Sequence, residues 1–475
     1  MKFRNYISSN AYPQTKQLRN RWMLWVLIIF CNSLVSCESF VEVELPDSQI
    51  FGETVFSDPL TANAALSHIY AELRDNTLVT GTSRGISNLL GLYADEMEYY
   101  SSSRLAEEEF FLNNLLASNS SVATIWNGSY NLIFAANSVL EGVNNSTSLT
   151  KEERDQLRGE ALFLRAYIHF YLTNLFGAIP YLTSTDYREN AVANKLPVSQ
   201  VNQLIILDLI EAKEALPAQY LNERISPNKW VATALLSRVY LYDDNWEAAE
   251  TEASLLINNN SVFQLEQDLN LVFLRNSPGT IWSLQPGVDG ANTHEAQTFI
   301  FVSGPPPNRA LSQDLVNAFE PQDMRFQYWV DNVENEDGKW FYPFKYKERT
   351  NTGSSLEYSI LFRLAEQYLI RSEARAMMGN LTGAKEDLNI IRNRAGLEDF
   401  VGDSQDAILE AILEERRLEL FSELGHRWFD LKRTGRANPV LEAVKPGWDN
   451  TDVLFPIPEK ELLLNPNLEP QNPGY

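Results

Sequence analysis

The chain has 475 residues, 44% of them hydrophobic and 21% charged, with a formal charge of −24. It is long enough for a large core or several packed units, and its charge repels phosphate backbones, which excludes nucleic acid and favours neutral or cationic ligands. The only cysteines, Cys31 and Cys37, lie near the N-terminus, and His68, His169, His294 and His426 have no metal-ligand spacing, so no disulfide scaffold, cysteine nucleophile, metal or other cofactor is expected in the body.

Residues 1–36 read as a secretory leader. Five cations (Lys2, Arg4, Lys16, Arg19, Arg21) and no acids precede Cys37. Met23 to Phe30 is an apolar run, too short for a secure membrane span. Leu34-Val35-Ser36-Cys37 resembles a bacterial lipobox, with a small residue before a thiol that would receive a lipid. Cys37 is therefore expected to begin the mature chain and to anchor it to a membrane.

The rest, 37–475, reads as one domain. Asp58-Pro59 caps a first helix carrying Ala64, Ala65, Ile69 and Tyr70. Gly81-Thr82-Ser83-Arg84-Gly85 matches G-x-S-x-G, but Leu78-Val79 is a poor strand, so a loop is expected rather than a nucleophile elbow. Trp126 to Val143 is a helix with Trp126, Tyr130, Ile133, Ala136 and Leu140 on one face. Gly159 to Leu182 holds another, ended by Gly177 and Pro180. Trp230 to Ile257 is a helical hairpin in which Asn245, Ala249 and Ala253 echo Asn380, Ala384 and Leu388. The echo predicts degenerate tetratricopeptide-like repeats. Residues 260–355 break the helical pattern into short extended or irregular pieces. Leu311 to Phe326 includes a short helix, and Pro305-Pro306-Pro307 is a stiff run.

The stretch from Leu356 to Gly435 predicts three helices and a short fourth. The first carries Leu361, Leu364, Ala365, Tyr368, Leu369 and Ala376. The second opens at Asn380 and stops at Gly396. The third runs from Asp406 to Gly425, where a left-handed C-cap is expected. The fourth begins near Arg427. Its charges (Glu414, Glu415, Arg416, Arg417, Glu419, Glu423, Arg427, Asp430, Arg433) predict a structural ion-pair network. Arg165, and Arg363 with Glu373, are expected in buried pairs.

These segments carry a resemblance. LFRLAEQYLIRSEARAMMGN, AKEDLNIIRNRAGL and ILEERRLELFSELGHRWFDLKRTG, in that order, resemble the signature of the SusD/RagB family of outer-membrane lipoproteins. Asn137, the Arg165 to Pro180 segment, Asp323 with Arg325, and the ending from Pro456 to Tyr475 agree with it. The resemblance implies a mostly α fold, a tetratricopeptide-like scaffold with a loop-rich binding region at about 260–355. It implies a protein that catalyses no reaction, lipid-anchored on the outer membrane and facing outward. Such a protein captures an oligosaccharide and passes it to a SusC-like TonB-dependent transporter. The alternatives are RagB-like capture of peptides, which the negative charge suits if they are cationic, and a lipid-anchored hydrolase.

Sugar rings present apolar C–H faces rimmed by hydroxyls, and proteins meet them with aromatic platforms and polar hydrogen-bonding groups. Trp126, Trp230, Trp246 and Trp428 lie in helical motifs and should pack the core. The candidate ligand-binding residues lie outside them: Tyr99, Tyr100, Trp282, Asp289, Asn292, Arg325, Trp329, Trp340 and Tyr342. Two regions, Tyr93 to Ser103 and Trp282 to Tyr342, are expected to meet on one face of the scaffold.

Overall fold

A computed structural model describes residues 55–103, 106–221 and 223–475. The leader and Cys37 lie outside these residues. Capping chemistry sets the helix starts. The Asp58 carboxylate accepts from Leu60 N–H at 2.8 Å and opens α1 (Pro59–Asp75). Pro59 takes the first position, where its missing N–H costs nothing. Then come α2 (Ile86–Tyr93), β1 (Met97–Tyr99), α3 (Ala106–Phe111), α4 (Ser120–Asn145) and α5 (Lys151–Phe176). Asn119 caps α4, and Thr150 with Glu153 forms a capping box on α5. Next are α6 (Tyr187–Asn190), α7 (Val198–Ala215), α8 (Lys229–Tyr242) and α9 (Trp246–Ile257).

The segment that breaks the helical pattern holds β2 (Thr280–Leu284), α10 (His294–Phe299), β3 (Arg309–Leu311), α11 (Gln313–Ala318), α12 (Met324–Trp329), β4 (Val330–Asn335) and β5 (Gly338–Pro343). After β6 (Ser359–Arg363) the helices resume: α13 (Leu364–Met377), α14 (Leu381–Arg394), α15 (Gln405–Leu420), α16 (His426–Arg433), α17 (Ala437–Val444) and α18 (Glu459–Leu464).

The scaffold is a one-dimensional stack. α4 packs on α5, α5 on α7, α7 on α8, α8 on α9, α9 on α13, and α13 on α14 and α15. Each helix meets mainly its neighbours, as in helical repeat proteins. The repeat echo has a structural cause. Asn245 and Asn380 are both N-caps with nearly the same backbone (φ −89°, ψ 75° and φ −81°, ψ 68°). The residue before each is left-handed, Asp244 at φ 56° and Gly379 at φ 82°. Each asparagine N–H then bonds five residues back, to Tyr240 O and Arg375 O. Ala249 and Ala253 lie fully buried against Ile370 and Ala374, so small residues let α9 approach α13.

Two expectations need correction. Residues 359–363 are strand, not helix: β6 pairs antiparallel with β2, placing Trp282 opposite Phe362. α15 ends at Leu420, and Gly425 (φ 71°) instead precedes α16. A β-carbon there would overlap the Leu90 side chain, so the close approach of α2 also requires glycine.

The charged run is a structural ion-pair network, as expected, but most of its pairs reach other elements. Among the described residues only Glu414 with Arg417 pairs along α15 itself. Arg325 is wholly buried and bonds Asp323, Glu415 and Glu419. Glu419 also takes Arg363 and Arg394. Burial pushes its carboxyl up, but the three guanidinium groups hold it well below the usual carboxylate range. Arg427 pairs with Asp95, and Asp430 with Arg416 and Arg433. Some partners differ from those expected: Arg165 binds Asp208, Arg363 binds Glu419 and Glu423, and Glu373 binds Arg433. The C-terminal segment lies across the body, Asn472 Nδ2 donating to Phe176 O at 2.8 Å and to Phe455 O at 2.7 Å.

Candidate functional site

The two loop regions meet through backbone pairing. β1 runs antiparallel to β3 with Met97 opposite Leu311 and Tyr99 opposite Arg309. The ladder continues through Tyr100 N–H, which donates to Asn308 O at 2.7 Å. β3 packs on β5, the second strand of a hairpin in which Val333 faces Trp340 and Asp331 faces Tyr342. Side chains alternate along β5. Tyr342 turns inward onto Phe301, ring centroids 4.9 Å apart, and Phe341 takes the other face, against Phe326.

Trp340 is half-buried and Tyr99, Tyr100 and Phe341 are likewise partly open to solvent. The Trp340 ring lies over Gly304, where a β-carbon would overlap it, and within 3.1 Å of where one would stand at Gly338. Asn335 Nδ2 donates to Gly304 O at 2.9 Å and ties the hairpin tip to that loop. Tyr100 donates to Glu98 Oε2 at 3.1 Å. Its phenol is pushed up to about 12 by burial and by the Glu98 carboxylate, with the Trp340 indole opposing as a hydrogen-bond partner. The Tyr99 ring stacks on Phe111, and its hydroxyl donates to Ser103 O at 2.8 Å. Tyr100 and Trp340 thus form a partly exposed aromatic pair with the Glu98 carboxylate at its edge. It can meet the apolar face of a ring and hydrogen-bond at its rim.

Five candidates turn out to serve the interior. Trp282 is fully buried, packed edge-on to Phe163 and Tyr167 and stacked on Phe362, so it has no face to offer a ligand. Trp329 is fully buried, and its indole donates to Leu269 O at 2.9 Å. Lys345 lies 5.0 Å from its ring centre. Arg325 is consumed by its three carboxylates. Asn292 spends its amide on the 350–357 segment, donating to Thr350 O and Thr352 Oγ1 and accepting from Leu356 and Glu357 N–H. Tyr342 is buried, its hydroxyl on Asp331 at 3.1 Å. Asp289 is exposed, and its carbonyl is held by Asn351. Tyr99, Tyr100 and Trp340, together with the exposed Asp289, remain as surface-facing candidates. Gly304 and Gly338, which seat Trp340, are additions to the set; a glycine directly before Pro305-Pro306-Pro307 was the available signal.

The G-x-S-x-G loop is not an elbow. Leu78 and Val79 lie in a turn, and Gly85 caps α2. Among the described residues no helix is long and apolar enough to cross a membrane.

Residues 54–241 match a family described as starch-binding and associating with the outer membrane, and residues 330–475 match the SusD family. A SusD-like protein of Formosa agariphila is 29% identical, the match covering 94% of this chain and 98% of that one. A second from the same organism is 26% identical over 97% and 100%. Among solved structures, a SusD superfamily protein from Bacteroides vulgatus superposes with a TM-score of 0.76 at 22% identity, covering 89% of this chain and all of that one. A laminarin-binding SusD-like protein gives 0.74 at 22%, covering 88% and 99%. These structural likenesses are likenesses of fold.

Proposed function

The chain belongs to the SusD/RagB family, and from that premise we propose that it captures a glycan at the cell surface without chemically altering it. The observation that carries the reading is the union of β1 with β3, which sets Tyr99 and Tyr100 beside the hairpin bearing Trp340. A partly exposed aromatic surface with a polar rim suits a saccharide. The laminarin-binding neighbour of the same fold supports the ligand class. Capture would be followed by delivery to a SusC-like TonB-dependent transporter in the outer membrane. Cys37 would carry the lipid that holds the protein there, facing outward.

Two experiments test this. Trp340→Ala, screened against a glycan panel, should lose affinity for whatever the wild type binds, with an unchanged melting temperature. Retained affinity would remove the platform from the mechanism. Cys37→Ala should leave the outer-membrane fraction; if it stays there as the wild type does, the anchor assignment fails.

A further inference from the structure

A second surface has the chemistry of a saccharide site and shares no residue with the Trp340 platform. α4 carries Asn127, Asn131, Phe134, Ser138, Glu141 and Asn145 at intervals of three or four, one stripe along the helix. It spans about 27 Å at 1.5 Å per residue. The segment following α5 runs beside it and is fixed at three points. Tyr130 Oη donates to Pro180 O at 2.9 Å, Asn137 Nδ2 to Leu182 O at 3.0 Å, and Thr185 N–H to Glu141 Oε1 at 2.8 Å. Helix and segment wall two cavities of about 530 and 560 Å³. The two cavities share no lining residue, but the stripe is their common floor, with Asn131 in the first and Phe134, one helical turn on, in the second, a trough in two parts.

Three features point to a ligand. Phe134 leaves 49% of its surface to solvent in the trough, on a helix whose other large apolar side chains are buried or half-buried. The amides of Asn127, Asn131 and Asn145 are exposed and make no hydrogen bond within the described residues. Asn88, Asn113, Asn119 and Asn137, by contrast, are spent on caps and carbonyls. The lining is also nearly free of charge in a very acidic chain. Among the described residues that line it, Glu141 and Glu461 are the only ionisable carboxylates, and none is a cation that could receive a sulfate, phosphate or uronate. Free amides offer paired donors and acceptors to hydroxyls, and an open ring offers a face.

We propose that this trough is a second binding track for an uncharged saccharide chain. The ligand class rests on the glycan reading above; the location does not. A polymer that engages both surfaces gains by effective concentration. The test compares wild type, Trp340→Ala and the double variant Asn131→Ala with Phe134→Ala, titrated with laminarin and with soluble starch and with short oligomers of each. The α4 variant should lose at least about tenfold in affinity for the polymer. It should keep its melting temperature and its affinity for the oligomer held at the platform. Polymer affinity equal to the wild type's would overturn the track and leave the platform standing. A wild type that binds neither glucan would count against both.

Discussion

Trp340 rests on Gly304: the backbone of one residue is the seat of the other's ring, and no β-carbon fits between them. A seat of this kind holds a half-exposed ring in one attitude without burying it. Gly304→Ala should therefore displace the indole. Acrylamide should quench more of the tryptophan fluorescence in the variant, and the gain should vanish when Trp340→Phe is added. Ligand affinity should fall as it does in Trp340→Ala. An unchanged quenching profile would mean that the seat does not position the ring.

Trp329 and Trp340 should separate cleanly. Trp329 is fully buried in a cluster with Phe273 and Phe421, so Trp329→Ala should cost about 3–5 kcal/mol of stability. Trp340→Ala should leave stability nearly intact. It should weaken ligand binding by about 0.5–1.5 kcal/mol, roughly two- to tenfold. Chemical denaturation and titration of both variants measure this. The opposite pattern would exchange their roles.

The contrast between these two tryptophans marks where the sequence stops being legible. Both stand in the segment that lacks helical periodicity, and nothing local tells inward from outward. In β5 that choice is set by β3, which is itself fixed by β1 from far earlier in the chain. Local signals were readable. Asp58 and Asn380 cap the helices their positions announce, and Asn245, the echo of Asn380, caps its own. The convergence of the two loop regions was also anticipated. Arg325 was visible as a motif, but its partners Glu415 and Glu419 lie on α15, so its structural task was hidden.

Arg325 should prove a stability residue with no part in binding. Arg325→Met leaves Asp323, Glu415 and Glu419 in the interior without their shared cation. Breaking a buried ionic cluster from one side costs about 3–5 kcal/mol. The variant should unfold at lower denaturant, and the fraction still folded should bind ligand as the wild type does. A loss of affinity without a loss of stability would return Arg325 to the site.

The last prediction concerns pH. His169 is completely buried, its ring stacked on Tyr181 with centroids 3.9 Å apart. Nδ1 lies 2.8 Å from Arg165 O, and Nε2 lies 3.4 Å from Leu182 N–H. A carbonyl can only accept and an N–H can only donate, so the pair selects the neutral tautomer protonated at Nδ1. Burial lowers the imidazole to about 3, from an ordinary 6.5, with the neighbouring Arg165 charge adding to the effect and the Arg165 carbonyl opposing it. Between pH 6.5 and about 3 the unfolded chain therefore takes up a proton that the folded chain refuses. Stability contributed by neutral His169 is complete above pH 6.5 and declines as pH falls through that window, by up to about 1.4 kcal/mol per unit. Glu96 and Glu160, which burial raises to about 7, act in the other direction: their contribution is greatest below pH 4.5 and is lost as pH rises towards 7. Total stability thus mixes both signs, and the histidine must be isolated by difference. The denaturation free energy of wild type minus that of His169→Phe, measured from pH 7 to pH 4, should fall steadily with acidity. A flat difference would mean that the ring is protonated in the folded protein, and that the two hydrogen bonds do not fix its tautomer.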